Sequence, residues 1–279
     1  MNFGMRFGSI DQENWDWRAA GNFMFGGTGG SLMFMTAAAS FPESPPAALG
    51  LVSLVIVAAG LGLVWLEIGR PMRFLNVYFN LRTSWMTREA GVAAILFVLA
   101  LAGVVLGQPI LIGLAGLAGL AFVYCQAMML KASKGIPAWR LPAIVPLVIS
   151  TGLSEGTALL LLIILFTAPP PDWLSYLLLA FIVLRALAWS NYKAKLAGAK
   201  APKASLDVLA GINLNMQIIG GALPVILILL PLAWPDAASM LNSIAAALVV
   251  LTGWYMKFTI VTRAAQTQGF ALGQPRRLA

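Results

Sequence analysis

Long apolar runs separated by short polar connections dominate the chain. Because about 20 residues of helix cross a bilayer, these runs predict eight transmembrane helices. The predicted spans are residues 19–40, 47–67, 89–107, 110–130, 142–167, 173–192, 206–233 and 237–262. With a segment 1–18 before the helices of 19–263 and a tail 264–279 after them, we expect a single all-α transmembrane domain over 1–279.

The connections at the two ends of the predicted bundle differ in charge. Connections 41–46, 108–109, 168–172 and 234–236 contain no lysine or arginine. The other connections and the chain ends hold the basic residues, which are Arg6, Arg18, Arg70, Arg73, Arg82, Arg88, Lys131, Lys134, Arg140, Lys193, Lys195, Lys200, Lys203, Arg263, Arg276 and Arg277. Since cytoplasmic loops are enriched in Lys and Arg, this pattern predicts that both termini are cytoplasmic, which requires an even number of spans.

Composition indicates that lipid is the solvent for most of the chain. Hydrophobic residues make up 60% of the sequence and charged residues 10%, and the mean hydropathy is +0.86, values outside the range of soluble domains. With no histidine and only Cys125, the chain cannot supply the ligands of a b-type haem or an iron–sulfur cluster, and we expect no metal site. The net charge of +8 is distributed by membrane side, so nucleic-acid binding is not expected.

The stretch between the second and third predicted helices is the densest cluster of polar and aromatic residues. Glu67 ends one helix and Glu89 opens the next on the same side of the membrane. A quinone head needs hydrogen-bonding groups, a proton-exchanging group and an apolar path for its tail. Glu67 and Glu89 are candidates for proton exchange, and Trp85, which shares a helix face with Arg88 and Glu89, is a candidate to flank the ring. The alternative is an interfacial belt of Arg–Glu pairs.

The same stretch resembles the signature of a known family. The pattern E-I-G-R-P-x-R-x-L-N followed by S-W-M-T-R-E, within residues 65–90, resembles the membrane anchor subunits of dimethyl-sulfoxide reductases, and the wider NrfD-like and polysulfide-reductase-like family. The resemblance implies an anchor without haem in the cytoplasmic membrane of a bacterium or archaeon, which binds menaquinone or ubiquinone. It also implies two partners: a four-cluster ferredoxin-like iron–sulfur subunit and a molybdopterin or tungstopterin catalytic subunit.

The resemblance also implies roles for individual residues. Arg88 and Glu89 match the family's Ser-Trp-x-x-Arg-Glu element, whereas Glu67 stands where the family has a histidine, a departure that bears on proton transfer. The quinone-binding candidates are Asn22, Glu67, Arg70, Trp85, Arg88 and Glu89, with Glu67 and Glu89 in catalytic roles. The candidates for the partner interface are Trp15, Trp17, Arg18, Arg73 and Arg82.

The segment Asn14 to Phe23, N-W-D-W-R-A-A-G-N-F, is similar to the anchors of phenylacetyl-CoA:acceptor oxidoreductases. An acyl-CoA substrate is cytoplasmic, and the basic motif loop is predicted on that side. This resemblance therefore implies a cytoplasmic catalytic partner.

Other polar residues fall within predicted spans. Glu155 lies about 13 residues into the fifth span, near the bilayer centre, which favours either a proton relay or a protonated glutamate bonded to a neighbouring helix. Asn213 and Gln217 are four residues apart and predict an inward polar face, as a proton path or as interhelical adhesion. Arg185 and Lys257 lie near predicted cytoplasmic helix ends, so we expect them to snorkel to the interface without a catalytic role.

Two other functions stay open from the residues alone. One is a transporter of protons or small solutes that uses Glu155 and the seventh helix; the other is a structural anchor without a working quinone site. Transporters commonly contain repeats and broken helices. We find no convincing repeat, although Pro142, Pro146 and Pro224 could mark breaks. The glycines of residues 26–30 indicate close helix packing and not a phosphate loop, since lysine and a preceding strand are lacking.

Overall fold

A bundle of long helices and one pair of two-residue strands make up the fold. The computed structural model describes residues 9–67, 82–167, 170–199 and 201–267. Giving one label to helical segments that continue without a break, the helices are α1 (17–40), α2 (Ala47–Glu67), α3 (Trp85–Leu106), α4 (Pro109–Ala132), α5 (Pro137–Arg140), α6 (Ile144–Leu165), α7 (Asp172–Gly198), α8 (Lys203–Leu232) and α9 (Pro235–Arg263). Strands β1 (Ile10–Asp11) and β2 (Gln266–Thr267) pair antiparallel.

Seven of these helices, α2, α3, α4 and α6 to α9, are long and apolar enough to cross a membrane. The prediction of an all-α, multi-pass membrane protein is therefore confirmed. Large apolar side chains cover the outside of the bundle, as shown by Val55, Val105 and Phe166, which are 67%, 79% and 88% exposed. Such a surface suits lipid and not water.

Local signals explain where the helices begin and end. The Ser84 side chain accepts a hydrogen bond from the Thr87 backbone N–H at 3.3 Å and so caps the start of α3. Gly107 follows the end of α3 with a φ of 61°, a conformation that glycine adopts without steric penalty. Pro109 then opens α4, at the helix position where its missing N–H is harmless.

Three helices contain wide π-helical turns. They lie at Asn22–Gly26 in α1, Asn215–Ala222 in α8 and Thr259–Arg263 in α9. A π turn replaces the i→i+4 backbone hydrogen bonds by i→i+5 bonds, so it changes the helical register of the residues that follow. Such turns are frequent at functional sites. The candidate site described below begins at the first of them.

Helix α1 lies inside the bundle, where it packs against α2, α4 and α6. Its second half from Gly27 to Met33 is buried, because small residues let neighbouring backbones approach closely. A Cβ atom added to Gly30 would lie 2.8 Å from the Gly119 carbonyl oxygen of α4, and one on Gly29 would lie 2.9 Å from the Ser53 carbonyl oxygen of α2. The prediction of close packing through this glycine run is confirmed.

This backbone contact gives a stability prediction. Gly119→Ala is expected to destabilise the folded protein by about 1 to 3 kcal/mol, because the new methyl group would overlap the Gly30 backbone and force α1 and α4 apart. Denaturant titration followed by tryptophan fluorescence would measure this loss. The matched control is Gly113→Ala on the same helix, where a Cβ meets no atom within 4 Å; equal stabilities of the two variants would contradict the close contact.

Candidate functional site

A polar pocket lies where the N-terminal half of α1 meets the end of α2, the start of α3 and the end of α4. Its cavity volume is about 30 Å³, and it is partly open to the outside. Three of the sequence-predicted site residues, Asn22, Glu67 and Glu89, line it together. The remaining walls are apolar, formed by Trp15, Ala19, Phe23, Val64, Met86 and Met129.

Asn22 and Glu89 form the inner end of the pocket. Asn22 is 2% exposed and Glu89 4% exposed, and the Asn22 Nδ2 atom donates to Glu89 Oε1 at 3.0 Å. Asn22 begins the π turn of α1, and its backbone carbonyl accepts a hydrogen bond from Gln126 Nε2 of α4 at 2.9 Å. The Asn22 Oδ1 atom has no partner among the described residues. The inner pocket therefore has an unused acceptor next to a buried carboxyl group.

Gln126 was missed by our reading of the sequence. It is fully buried, and its side chain interacts with the Glu89 carboxyl group. A signal was present, because Gln126 is the one amide side chain within α4. A lone amide in an apolar span usually faces a polar group on a neighbouring helix.

Glu67 forms the outer end of the pocket. It is the last residue of α2 and half-buried, and its carboxylate interacts with the Asp16 backbone N–H and the Arg18 charge. Arg18 also donates to the Leu66 carbonyl oxygen at 2.8 Å, which ties the N-terminal segment to the end of α2. The pocket thus has one carboxyl group close to the surface and another inside the bundle.

Trp85 and Arg88 lie beside the pocket and do not line it. The Arg88 guanidinium stands 4.3 Å from the centre of the Trp85 ring, and that ring meets Tyr124 edge-on at 5.7 Å between centroids. Arg88 Nη2 also donates to the Arg82 carbonyl oxygen at 2.7 Å. These contacts hold the start of α3 against α4. The predicted quinone ligand Arg70 lies outside the described residues.

The predicted partner-interface residues are placed differently from one another. Trp17 is 57% exposed and Arg82 is exposed, so both are accessible to another protein. Trp15 instead packs into the core and stacks on Trp139 with 4.8 Å between ring centroids. Arg18 is held by Asp16 in an ion pair of 2.8 Å, which lowers the pKa of the Asp16 carboxyl. Arg73, like Arg70, lies outside the part of the chain that the structure describes.

A second cluster of charges lies deeper in the bundle. Lys257 of α9 pairs with Glu155 of α6, with 2.5 Å between Nζ and Oε2, and their side chains are 2% and 0% exposed. The Thr28 hydroxyl of α1 donates to the same Glu155 oxygen at 2.7 Å. The Trp254 indole donates to Thr28 Oγ1 at 2.9 Å.

The expectation that Arg185 and Lys257 snorkel to the interface is wrong. Arg185 is 1% exposed, and it donates to the carbonyl oxygens of Val249 and Gly220 and to the Thr252 hydroxyl. The Arg185 and Lys257 side chains point inward because buried acceptors on neighbouring helices bind their N–H groups. One of these acceptors is the Gly220 carbonyl oxygen in the π turn of α8. Position along a helix gives the depth of a charge but not the direction in which its side chain points.

The expectation of an inward polar face on α8 is also wrong. Gln217 is exposed on the outside of the bundle, whereas Asn213 is half-buried and accepts a hydrogen bond from the Trp189 indole at 3.0 Å. The π turn that begins at Asn215 changes the helical register between the two residues, so spacing of four no longer places them on one face. Asn213 serves helix adhesion here.

Comparison with known proteins gives one informative match. No family model matches the chain. The chain is similar to a subunit of the sulfite dehydrogenase of Allochromatium vinosum, with 31% identity over 125 residues. The matched region covers 38% of this chain and 38% of the length of that relative, so the likeness concerns a part of each protein.

Proposed function

We propose that this chain is a quinone-reactive membrane subunit of an oxidoreductase complex. The observation that carries the proposal is the convergence of Glu67, Glu89 and Asn22 from three helices on one pocket with apolar walls. Acidic groups beside an apolar cavity at the end of a membrane bundle suit a ligand with an oxygenated head and a hydrocarbon tail.

The residues present fit a quinone head. The cavity volume of about 30 Å³ is far below the range of small-molecule pockets, so a quinone head would enter only as side chains at the partly open mouth move aside. The unpartnered Asn22 Oδ1 and the Glu89 carboxyl group offer hydrogen-bonding positions at the inner end. Met86, Met129 and Val64 supply apolar contacts. A quinone bound here would supply the reversible uptake of two electrons and two protons.

The chain's own residues would handle the protons of that reaction. Glu89 would take up and release a proton at its buried carboxyl group, which the hydrogen bond from Asn22 orients. Glu67 lies close to the surface and exchanges protons with water. The Trp15 and Phe23 rings, 5.8 Å apart between centroids, form part of the wall that keeps bulk water from the inner carboxyl group.

The likeness to a sulfite dehydrogenase subunit supports the assignment to an oxidoreductase complex. We propose partners of the kinds that the sequence motif implies, namely a four-cluster iron–sulfur subunit and a molybdopterin or tungstopterin catalytic subunit. We further propose a cytoplasmic catalytic partner of the phenylacetyl-CoA:acceptor oxidoreductase type, in the cytoplasmic membrane of a bacterium or archaeon. Exposed Trp17 and Arg82 beside the pocket support docking on this face.

We also propose eight crossings with both ends in the cytoplasm. The pairing of Ile10 and Asp11 with Thr267 and Gln266 supports a common side for the segments before α1 and after α9. Seven crossing helices would put them on opposite sides, so α1, which runs through the bundle interior over residues 17–40, is the eighth. The basic loops then assign the common side to the cytoplasm.

A pocket-filling variant tests the proposal. Val64→Trp is expected to weaken binding of decylubiquinone to the purified protein in lipid nanodiscs by about tenfold or more, because the indole would occupy the head-group space. Quenching of tryptophan fluorescence by the quinone, corrected for the added indole, measures the affinity. The matched control is Val55→Trp on the same helix, which faces lipid at 67% exposure. No saturable binding to the unaltered protein, or equal affinities of the two variants, would contradict a quinone site here.

A further inference from the structure

The buried charges of the described chain form a balanced set. They are two acids, Glu89 and Glu155, and two bases, Arg185 and Lys257. Glu155 pairs with Lys257 directly and also interacts with the Arg185 charge. Glu89 belongs to the pocket, so its counter-charge has to come from elsewhere in the bundle.

The hydrogen bonds of the pocket lead inward to Gln126. Asn22 donates to Glu89, and Gln126 donates through Nε2 to the Asn22 backbone carbonyl. This leaves the Gln126 Oε1 atom buried, with no partner among the residues that the structure describes. An amide oxygen in this position needs a donor.

Lys257 is the donor that faces it. A Cβ atom added to Gly27 would lie 2.6 Å from Lys257 Nζ and 3.1 Å from Gln126 Oε1. The ammonium group and the amide oxygen therefore both border the open space beside Gly27, without a direct hydrogen bond between them. An ammonium group has three N–H donors, and Glu155 takes one of them at 2.5 Å. A water molecule bound in that space would join the pocket and the deeper ion pair into one polar network.

Unpartnered oxygens mark the course of this network. Among the described residues, the side-chain oxygens without a partner include Asn22 Oδ1, Gln126 Oε1, Glu155 Oε1 and Ser31 Oγ. Buried acceptors without a partner are the usual positions of internal water. Water bound to these atoms would connect Lys257 to Glu89 by hydrogen bonds. A proton could move along such water molecules, whereas amide groups alone do not relay it.

We propose that the Glu155–Lys257 pair exchanges one proton with Glu89 across Gln126. An N–H bond of Lys257 breaks, its electron pair stays on Nζ, and an O–H bond forms on Glu89 by way of the intervening water. Glu89 and Lys257 are then both neutral, and the Arg185 charge balances Glu155. The net charge of the four groups is the same before and after the exchange, which a low-dielectric interior favours.

The proton exchange does not depend on the proposed quinone function. If a quinone binds in the pocket, the exchange would supply protons to it through Glu89. When Glu89 gives a proton to a ligand in the pocket, Lys257 would restore it, and the exchange would run back to Lys257 once Glu89 regains a proton from Glu67 at the outer end of the pocket. Among the described residues, the other titratable or charged groups around Glu89 are Glu67 in the pocket wall and Arg88 and Cys125, of which Cys125 interacts with both Glu89 and Arg88. Arg185 is the further charge beside the ion pair.

Hydrogen–deuterium exchange at the Lys257 ammonium group tests the proposal on the full chain in lipid nanodiscs. Magnetic resonance of ¹⁵N-labelled lysine side chains gives the rate, with the Lys257 signal identified by its loss in Lys257→Met. In Gly27→Ala the methyl group would fill the space between Nζ and Gln126 Oε1, and the exchange rate is expected to fall about tenfold, the effect of losing one bridging water's hydrogen bond to a charged group. Both displaced atoms end flexible side chains, so the fold should tolerate the change.

Gly62→Ala is the matched control, since a Cβ there meets no atom within 4 Å. Its exchange rate should equal that of the unaltered protein, and Gln126→Leu should reproduce the slow exchange of Gly27→Ala. An unchanged rate in Gly27→Ala and Gln126→Leu, or equal slowing in Gly62→Ala, would overturn the proposal. Added decylubiquinone should slow the exchange further by blocking the pocket; failure of this arm alone would count against the quinone site and leave the proton exchange standing.

Discussion

Replacement of Lys257 by methionine is expected to destabilise the folded protein by about 3 to 5 kcal/mol, the effect of removing one partner of a buried ion pair. Glu155 would keep one hydrogen bond from Thr28 but lose the ammonium group 2.5 Å from its Oε2 atom. An isolated carboxylate at this depth has to be neutralised or left uncompensated. Denaturation of the purified protein in dodecyl sulfate titrations, followed by circular dichroism, would give the loss.

Two further variants make the result interpretable. Lys134→Met removes an exposed lysine and should leave stability within about 0.5 kcal/mol. The double variant Glu155→Leu with Lys257→Met removes both charges and should recover most of the lost stability, because apolar pairs often replace buried ion pairs without penalty. A Lys257→Met variant as stable as the unaltered protein would contradict the ion pair.

Glu89→Gln is expected to lower quinol turnover by the assembled complex about a hundredfold, the usual contribution of a positioned proton-transfer group. The amide retains the shape of the side chain and a hydrogen bond with Asn22, so decylubiquinone binding should change only a few-fold. Electron transfer from decylubiquinol to a soluble dye in membrane vesicles measures turnover. Glu43→Gln, in the exposed connection before α2, serves as the control.

The outcomes for Glu89 separate binding from proton transfer. Loss of turnover with intact binding is the expected result. Unchanged turnover with intact binding would remove Glu89 from the reaction and point to Glu67, the outer carboxyl group of the pocket. In that case Glu67→Gln should lower turnover while Glu89→Gln does not.

The long helices could be predicted from the sequence, because hydrophobicity and length determine which segments can cross a bilayer. Seven predicted spans coincide with helices that meet those criteria in the structure. The outer end of the pocket was also readable: Glu67 and Glu89 flank one connection, so both had to lie at the same end of the bundle. Asn22 joined them through the resemblance of its segment to a known family.

The polar groups deeper in the bundle, Gln126, Glu155 and Lys257, could not be placed together from the sequence. Their positions depend on which helices are in contact and on how each helix is rotated about its axis. Lys257 looked like an interfacial residue by depth alone, yet Gly27 of α1 leaves room for its stem to turn inward. Gln217 looked like a polar face residue, yet a π turn moves it to the outside. Neither the helix neighbours nor the π turns have a strong signature in a single sequence.

The pairing of β1 with β2 has a consequence for protein engineering. Because Ile10 lies against Thr267, a short linker between these two residues could close the chain into a circle without disturbing the bundle. New ends could then be opened at the exposed turn around Gly107 and Gln108, as circular permutation requires. The permuted chain would keep every helix and both polar clusters, but its termini would emerge from the opposite face of the membrane. A tag fused there would leave the pocket end free for a partner protein.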